Sequence, residues 1–552
     1  MSGALSVKAH CLPFSEIPHT TRLFTDFLAY APKVHAYYPR PPLFSEWLKE
    51  EGASMQYDSS RRERVTGVLE RQNKSFSRDG NASPQAQKNL DRLRKGAAAV
   101  VTGQQVGLFG GPMFSIYKAL TAVKLAEEAT SAGVDTVPIF WLATYDHDLA
   151  EVNHISIPGA EGALQVLTIT SHDLPGAPVS AVRLGDEVVS AVEQAAGLLG
   201  ESEAVQFLRE SYRPGETMGT AFARLFARIF AEWGVILLDA SDPELARIAE
   251  PIYRAAIDKS EALVDALLAR GHALEAAGYR QQVKVTESSV LLFMTRDGVR
   301  QPIHRRGKGE TAEFVVGSEN SEVKFSRDQL NAELSSHPEY FSPNVLLRPV
   351  VQDYLLPTLA YTGGAAETAY FAQAGVVYEA LVGRITPVVP RFSATIVEPK
   401  MQRLLEKHSI ALTEVFHGCE ELRRLIAARS LPEDLKAAFE TAQNSFDSNL
   451  SSIKEKLERL DRTLVDAAET ARSKMHHQLE KLYSQAARAE ALKGELFARH
   501  AETLSHALYP EKSLQERGVG GIYFLARYGP GLLHELYGAM HSDCPDHQIL
   551  EL

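Results

Sequence analysis

The sequence predicts an α/β protein: a Rossmann-type, doubly wound parallel sheet with connecting insertions, followed by a C-terminal α-helical coiled coil. Three observations carry this expectation. Short apolar runs alternate with helical patterns up to about residue 395. A glycine-rich turn joins one of those runs to a helix. From Glu398 onward, apolar residues recur at intervals summing threes and fours among Glu, Lys, Arg and Gln.

In chain order, "GAAAVVTG" (96–103), "TVPIFWLAT" (136–144) and "GVILLDASD" (234–242) each read as a buried strand, too short for a helix and bounded by turn residues. Ser241 or Asp242 suits an N-cap before Pro243. Within 155–200, "LQVLTIT" and "APVSAVRL" suggest short antiparallel strands. Residues 280–327 suggest hairpins, with "RDG" as a turn. Leu435, Phe439, Phe446, Leu450, Ile453, Leu457, Leu460 and Leu464 form a helix seam that Met475, Leu479 and Leu482 continue. "SLPED" (430–434) makes a break with Pro432 near a helix start, so at least two antiparallel helices are expected. The resulting division is a core at 1–397 with insertions at about 155–230 and 260–342, a coiled coil at 398–510, and a closing segment at 511–552 that packs back on the core.

A chain of 552 residues with 45% hydrophobic and 23% charged content is globular, with ample core. Its net charge of −12 argues against general binding to nucleic acid or to an anionic membrane. The N-terminus lacks the pattern of a signal peptide, and no window has the length of a membrane span. Cys11, Cys419 and Cys544 stand apart with no CxxC pair, which reads as free thiols in a reducing cytoplasm, without a zinc knuckle or disulfide framework.

Four stretches concentrate residues that could carry chemistry. "VTGQQVGLFGGPMFSIYK" (101–118) contains Gly103, Gln104, Gln105, Gly107, Gly110, Gly111 and Lys118. It is neither GxGxxG nor a P-loop, yet glycines, Pro112 and a helix N-terminus suit a phosphate or nucleotide as well as they suit a structural turn. "TYDHDLAEVNH" (144–154) crowds Asp146, His147, Asp148, Asn153 and His154 after a strand, favouring substrate or nucleotide contact over a metal. "LRPVVQDYLLPTLAYTGGAAETAYFAQ" (347–373) supplies Gln352, Asp353, Tyr354, Gly363, Gly364 and Glu367 around a second glycine turn. In "TPVVPRFSATIVEP" (386–399), Arg391 suits a phosphate or carboxylate, or an ordinary surface position.

Taken together and in this order, the four stretches resemble the bacillithiol-biosynthesis cysteine-adding enzymes, across essentially the whole chain and most firmly over 97–155 and 343–400. The resemblance implies a ligase that joins cysteine to glucosaminyl-malate in the last step of bacillithiol synthesis. It implies a core related to class I aminoacyl-tRNA synthetases, ATP with its Mg2+ as energy source, no further metal site, and a homodimer formed through the coiled coil. "GQQVGLFGGP" stands where those synthetases carry HxGH but has no histidine, and "PRFSAT" is the nearest counterpart of KMSKS. Under this reading Gly103, Gln104, Gln105, Gly107, Gly110, Gly111 and Lys118 serve the nucleotide. His147 is the preferred base, with Asp146 and Asp148 beside it, because imidazole titrates near neutrality. Asn153, His154, Gln352, Asp353, Tyr354, Gly363, Gly364, Glu367 and Arg391 contact substrate. The competing expectation is a nucleotidyltransferase, or a nucleotide-binding sensor or scaffold that dimerises through its coiled coil.

Overall fold

The computed structural model describes residues 7–77, 79–159, 162–170, 175–317, 322–493 and 495–552. The described residues fall into two compact units, one drawn from 1–158, 165–395 and 516–550, the other from 159–164, 396–515 and 551–552.

The first unit is built on the expected apolar runs. β1 (Ala98–Gln104), β2 (Thr136–Leu142) and β3 (Ile236–Asp239) are buried along almost their whole lengths, as strands covered on both faces must be. Side chains alternate along β1: Ala99 and Val101 enter one apolar cluster, Ala98 and Val100 the other. Between β1 and β2 runs α1 (Phe114–Ser131), and α2 (Met218–Ile229) precedes β3. Asp242 caps the helix that begins at Pro243, its carboxylate accepting from the Glu244 amide.

The inserted region between about 260 and 342 carries an antiparallel sheet. Its strands are β4 (Ser289–Arg296), β5 (Val299–Arg306), β6 (Glu313–Val316), β7 (Val323–Phe325) and β8 (Phe341–Pro343), in the spatial order β7-β6-β5-β4-β8. The "RDG" turn joins β4 to β5, with Arg296 opposite Val299. Both turn residues are left-handed, Asp297 at φ 50° and Gly298 at φ 79°, as a two-residue hairpin loop requires.

The chain then returns to the parallel sheet. α3 (Arg348–Leu355) leads to β9 (Thr358–Gly363), α4 (Ala365–Leu381) and β10 (Val388–Pro390). The five parallel strands lie in the order β10-β9-β1-β2-β3, with Val101 opposite both Tyr361 and Ile139. The chain leaves β1 in one direction and comes back on its other side, so the topological switch point lies between β1 and β9. Ligands of open α/β sheets bind in that crevice, beyond the carboxyl ends of the strands.

In the second unit, α5 (Cys419–Arg429) precedes two long helices, α6 (Glu433–Leu460) and α7 (Leu464–Lys493). Their contacts step outward from the turn: Lys454 with Glu469, Asp447 with His476, Phe439 with Tyr483. They therefore form an antiparallel hairpin. Asp461 makes the turn by accepting from the amide and hydroxyl of Thr463.

The structure corrects two sequence expectations. "APVSAVRL" is not a strand: Val179–Ala181 is a 3-10 turn. Pro178 has no amide to offer a ladder, and the Val179 and Ser180 amides donate instead to the carbonyls of Asp146 and Thr144 (both 2.7 Å). Nor are the three cysteines all free. Cys11 and Cys544, 533 positions apart, form a disulfide, leaving Cys419 as a free thiol. Spacing along the chain carries no sign of a bond that depends on its two ends meeting.

Candidate functional site

A cavity of about 570 Å³ opens at the switch point, within the range of small-molecule sites. The ends of four parallel strands reach it: Gly103 to Gln105 at the end of β1, Tyr145 to His147 after β2, Tyr361 and Gly364 around the end of β9, and Arg391 after β10. The antiparallel sheet closes the opposite side with Phe293 and Arg300.

A buried polar network forms one wall. Lys118 Nζ donates to the Gly103 carbonyl (2.7 Å) and Gln104 Oε1 (2.9 Å), and pairs with Glu367 (2.7 Å). All three ammonium protons are thereby committed to the protein. Burial lowers the Lys118 pKa to about 8, against the pull of Glu367. Burial pushes Glu367 up, but Lys118 outweighs it and holds the carboxyl below its ordinary range. Glu367 also accepts from the Tyr361 hydroxyl (2.5 Å) and the Gly364 amide (2.8 Å). Arg348 extends the network by donating to the Tyr370 hydroxyl (2.5 Å) and Gln352 Oε1 (3.2 Å). A fully satisfied network of this kind fixes β1, α1, α3 and α4 against one another.

The opposite wall carries Asp146, His147 and Arg300. Gln105 Nε2 donates to Asp146 Oδ2 (2.8 Å), and the other Asp146 oxygen accepts the His147 amide (2.9 Å). Arg300 is buried, its Nε donating to Ser342 Oγ (2.8 Å) and Nη2 to the Pro343 carbonyl (3.0 Å), with the guanidinium 3.7 Å from the Phe293 ring centre. Its remaining arm donates to His147 Nδ1 (3.1 Å). A guanidinium has no acceptor, so Nδ1 accepts and the neutral ring keeps its proton on Nε2. In this state His147 is a donor. Asp146, 3.8 Å from Arg300, is the carboxylate on this wall.

The other sequence candidates are distributed differently. Gly107, Gly110 and Gly111 do not line the cavity: the Gly107 amide donates to Gln105, Gly110 to Gly107, and Gly111 to Leu108. The Tyr212 hydroxyl donates to the Gly107 carbonyl. At the start of α1, the Met113 amide is taken by the Val519 carbonyl. The amides expected to cradle phosphate thus hold the protein together. Asp148 and His154 are exposed outside the cavity, and Asn153 donates to the Ile169 carbonyl. Gln352 is fully buried against Arg348, and Tyr354 lies under Arg61. Asp353 bonds to Thr386, with burial raising its pKa to about 6. Gly363 ends β9 and accepts from the Arg391 amide.

Arg391 does reach the cavity, but as half of a buried pair: its guanidinium donates to both oxygens of Glu516 (2.5 and 3.1 Å). Ser393 Oγ donates to the same carboxylate (3.0 Å) and is 2.8 Å from Nδ1 of His547, which is itself held on the other side by Thr395. Sequence reasoning missed Arg300, Phe293, Tyr145, Glu516 and Arg517. Arg300 is one arginine in a hairpin and Glu516 one acid in "SLQERG", and no local pattern marks either.

Comparison with known proteins agrees with this architecture. Residues 7–392 match the family described as "Bacillithiol biosynthesis BshC, N-terminal Rossmann-like domain", and residues 394–552 match "Bacillithiol biosynthesis BshC, C-terminal coiled-coil domain". The chain belongs to the BshC family. A relative from Koribacter versatilis is 46% identical over 98% of this chain and 99% of its own length. One from Solibacter usitatus is 35% identical over the same shares, and one from Salinibacter ruber 32% identical over 98% of each chain. All three carry the name "Putative cysteine ligase BshC".

Proposed function

We propose that this protein is an ATP-dependent ligase that joins the carboxyl group of cysteine to the amine of glucosaminyl-malate. The observation that carries the reading is a switch-point cavity with a carboxylate and a neutral imidazole side by side on one wall. Amide formation from a carboxylate is uphill in water, and ATP, with its magnesium, supplies the activation of the acyl group. The amides of Gly107, Gly110 and Gly111 are occupied, so the reading assigns no phosphate contact to them.

Asp146 takes a proton from the acceptor ammonium, so that the neutral nitrogen attacks the activated cysteine carbonyl while the activating phosphate departs with the electron pair of the bond that breaks. His147, fixed by Arg300, donates from Nε2 to the oxygen on which negative charge develops. This reverses the division of labour expected from sequence, because Arg300 occupies the nitrogen that would have accepted a proton.

The hairpin of the second unit supports a homodimer. Ile453, Leu460, Met475 and Leu482 are 48–77% exposed along α6 and α7, an apolar stripe with no partner among the described residues. No helix among the described residues is long and apolar enough to cross a membrane. A biosynthetic ligase supplied with ATP and cysteine works in the cytoplasm, and there the Cys11–Cys544 bond stands against a reducing pool.

Mass spectrometry of protein incubated with cysteine, glucosaminyl-malate and ATP tests the reading. The expected result is a cysteinyl amide that vanishes when any component is omitted. A nucleotide product without amide, at every acceptor concentration, would overturn it.

A further inference from the structure

The Phe114 end of the cavity holds more positive charge than its acids balance. Three cations surround the Phe114 ring: Lys118 at 5.7 Å, Arg391 at 5.4 Å and Arg517 at 5.6 Å from its centre. Lys118 is neutralised by Glu367 and Arg391 by Glu516. Arg517 lines the cavity, and among the described residues no carboxylate pairs with it and no side-chain hydrogen bond holds it. Burial, then the charge of Arg391, lowers its pKa below the ordinary arginine value.

Two guanidiniums share one aromatic ring, and the carboxylates nearest Arg517, Glu516 and Glu367, are each bonded to another cation. Structural roles are satisfied by the neighbours: Glu516 ties the closing segment to Arg391, to Ser393 and to the Ala394 amide. The next residue along, Arg517, contributes no such tie. An excess cation that solvent can reach, aimed into a cavity and stacked on an aromatic face, is suited to an oxyanion entering with a ligand.

We infer that Arg517 is a substrate-binding residue, supplied to the Rossmann cavity by the closing segment, and that it receives an oxyanion of the ligand: a carboxylate of the acceptor or a phosphate of the nucleotide. The assignment rests on the proposed ligase reading for the identity of the ligand, but the anion site itself does not. Asp146, His147 and Arg300 then serve the amine and acyl groups, while Arg517 anchors the charged group at the Phe114 end.

The test is equilibrium titration of the wild-type protein, Arg517→Gln and Arg517→Lys with four probes: L-malate, glucosaminyl-malate, inorganic pyrophosphate and ATP, each without cysteine. Because the Arg517 side chain is exposed and makes no hydrogen bond or ion pair among the described residues, the melting temperatures of all three should agree closely. Arg517→Gln should bind one anion class about tenfold or more weaker and the other within about twofold, with Arg517→Lys between. Loss confined to the two malate probes identifies the carboxylate, and loss confined to pyrophosphate and ATP the phosphate. In turnover, KM for the same substrate should rise more than kcat falls. Wild-type protein that binds none of the probes, or Arg517→Gln that binds all four as wild type does, overturns the assignment. Failure of the ligase reading shows separately, as binding without amide formation.

Discussion

Arg300 sets the proton inventory of the site, because its donation decides which nitrogen of His147 carries hydrogen. Arg300→Gln should let the His147 ring change tautomer and lower kcat about 10- to 100-fold, with melting temperature measured alongside. Turnover at the wild-type rate by that variant would remove the donor role from His147. A second histidine offers a stability test. His547 is buried, and burial depresses its pKa to about 4. Below pH 6.5 the unfolded chain takes up a proton that the folded chain refuses until about pH 4, so stability falls as pH drops through that window. Between pH 7 and 4.5, wild type should lose roughly 2 kcal/mol more than His547→Gln, read from urea midpoints. Among the sequence candidates, Asp146, His147, Glu367 and Arg391 were legible because each sits in a polar cluster directly after a strand. Arg300 and Arg517 were not, since each acquires its place only through a contact far away in sequence, His147 for the one and Phe114 for the other.

At the scale of elements, the glycine loop is a structural joint. Gly110 adopts φ 90°, and a Cβ there would lie 3.3 Å from Leu225 and 3.4 Å from Phe226 on α2. Gly110→Ala should therefore destabilise the fold by about 1–3 kcal/mol, a loss visible in chemical denaturation. If instead stability held and only nucleotide affinity fell, the loop would be the cradle first suggested by its composition. Strands β1, β2 and β3 were readable because apolar runs of strand length have few other solutions in a buried sheet. The 3-10 turn at Val179–Ala181 was not, because its amides bond to the Thr144–Asp146 loop, a tertiary choice that alternation cannot register. The helix seam from Leu435 to Leu464 was read correctly in period but spans two helices, the turn at Asp461 to Thr463 falling between Leu460 and Leu464.

For the whole molecule, the two chain ends and the coiled coil make separate claims. Thiol titration in guanidinium should find one reactive cysteine, Cys419, before reduction and three after it. Cys544→Ser should cost about 2–4 kcal/mol under oxidising conditions and nothing under reducing ones. Replacing Ile453 and Leu482 together by Asp should leave each hairpin folded, since both side chains are exposed, yet shift the sedimentation of the protein from dimer to monomer. A monomeric wild-type protein would contradict the dimer proposal. The central claim is that the switch-point cavity makes the amide, with Asp146 taking the proton. Its most direct test is the rate of ATP-dependent cysteinyl-amide formation by wild type and by Asp146→Asn, with melting temperatures measured alongside. Wild type should form the amide, and the variant should form it at least about 100-fold more slowly at unchanged stability. Amide formation at the wild-type rate by Asp146→Asn, or none by the wild-type protein, would contradict it.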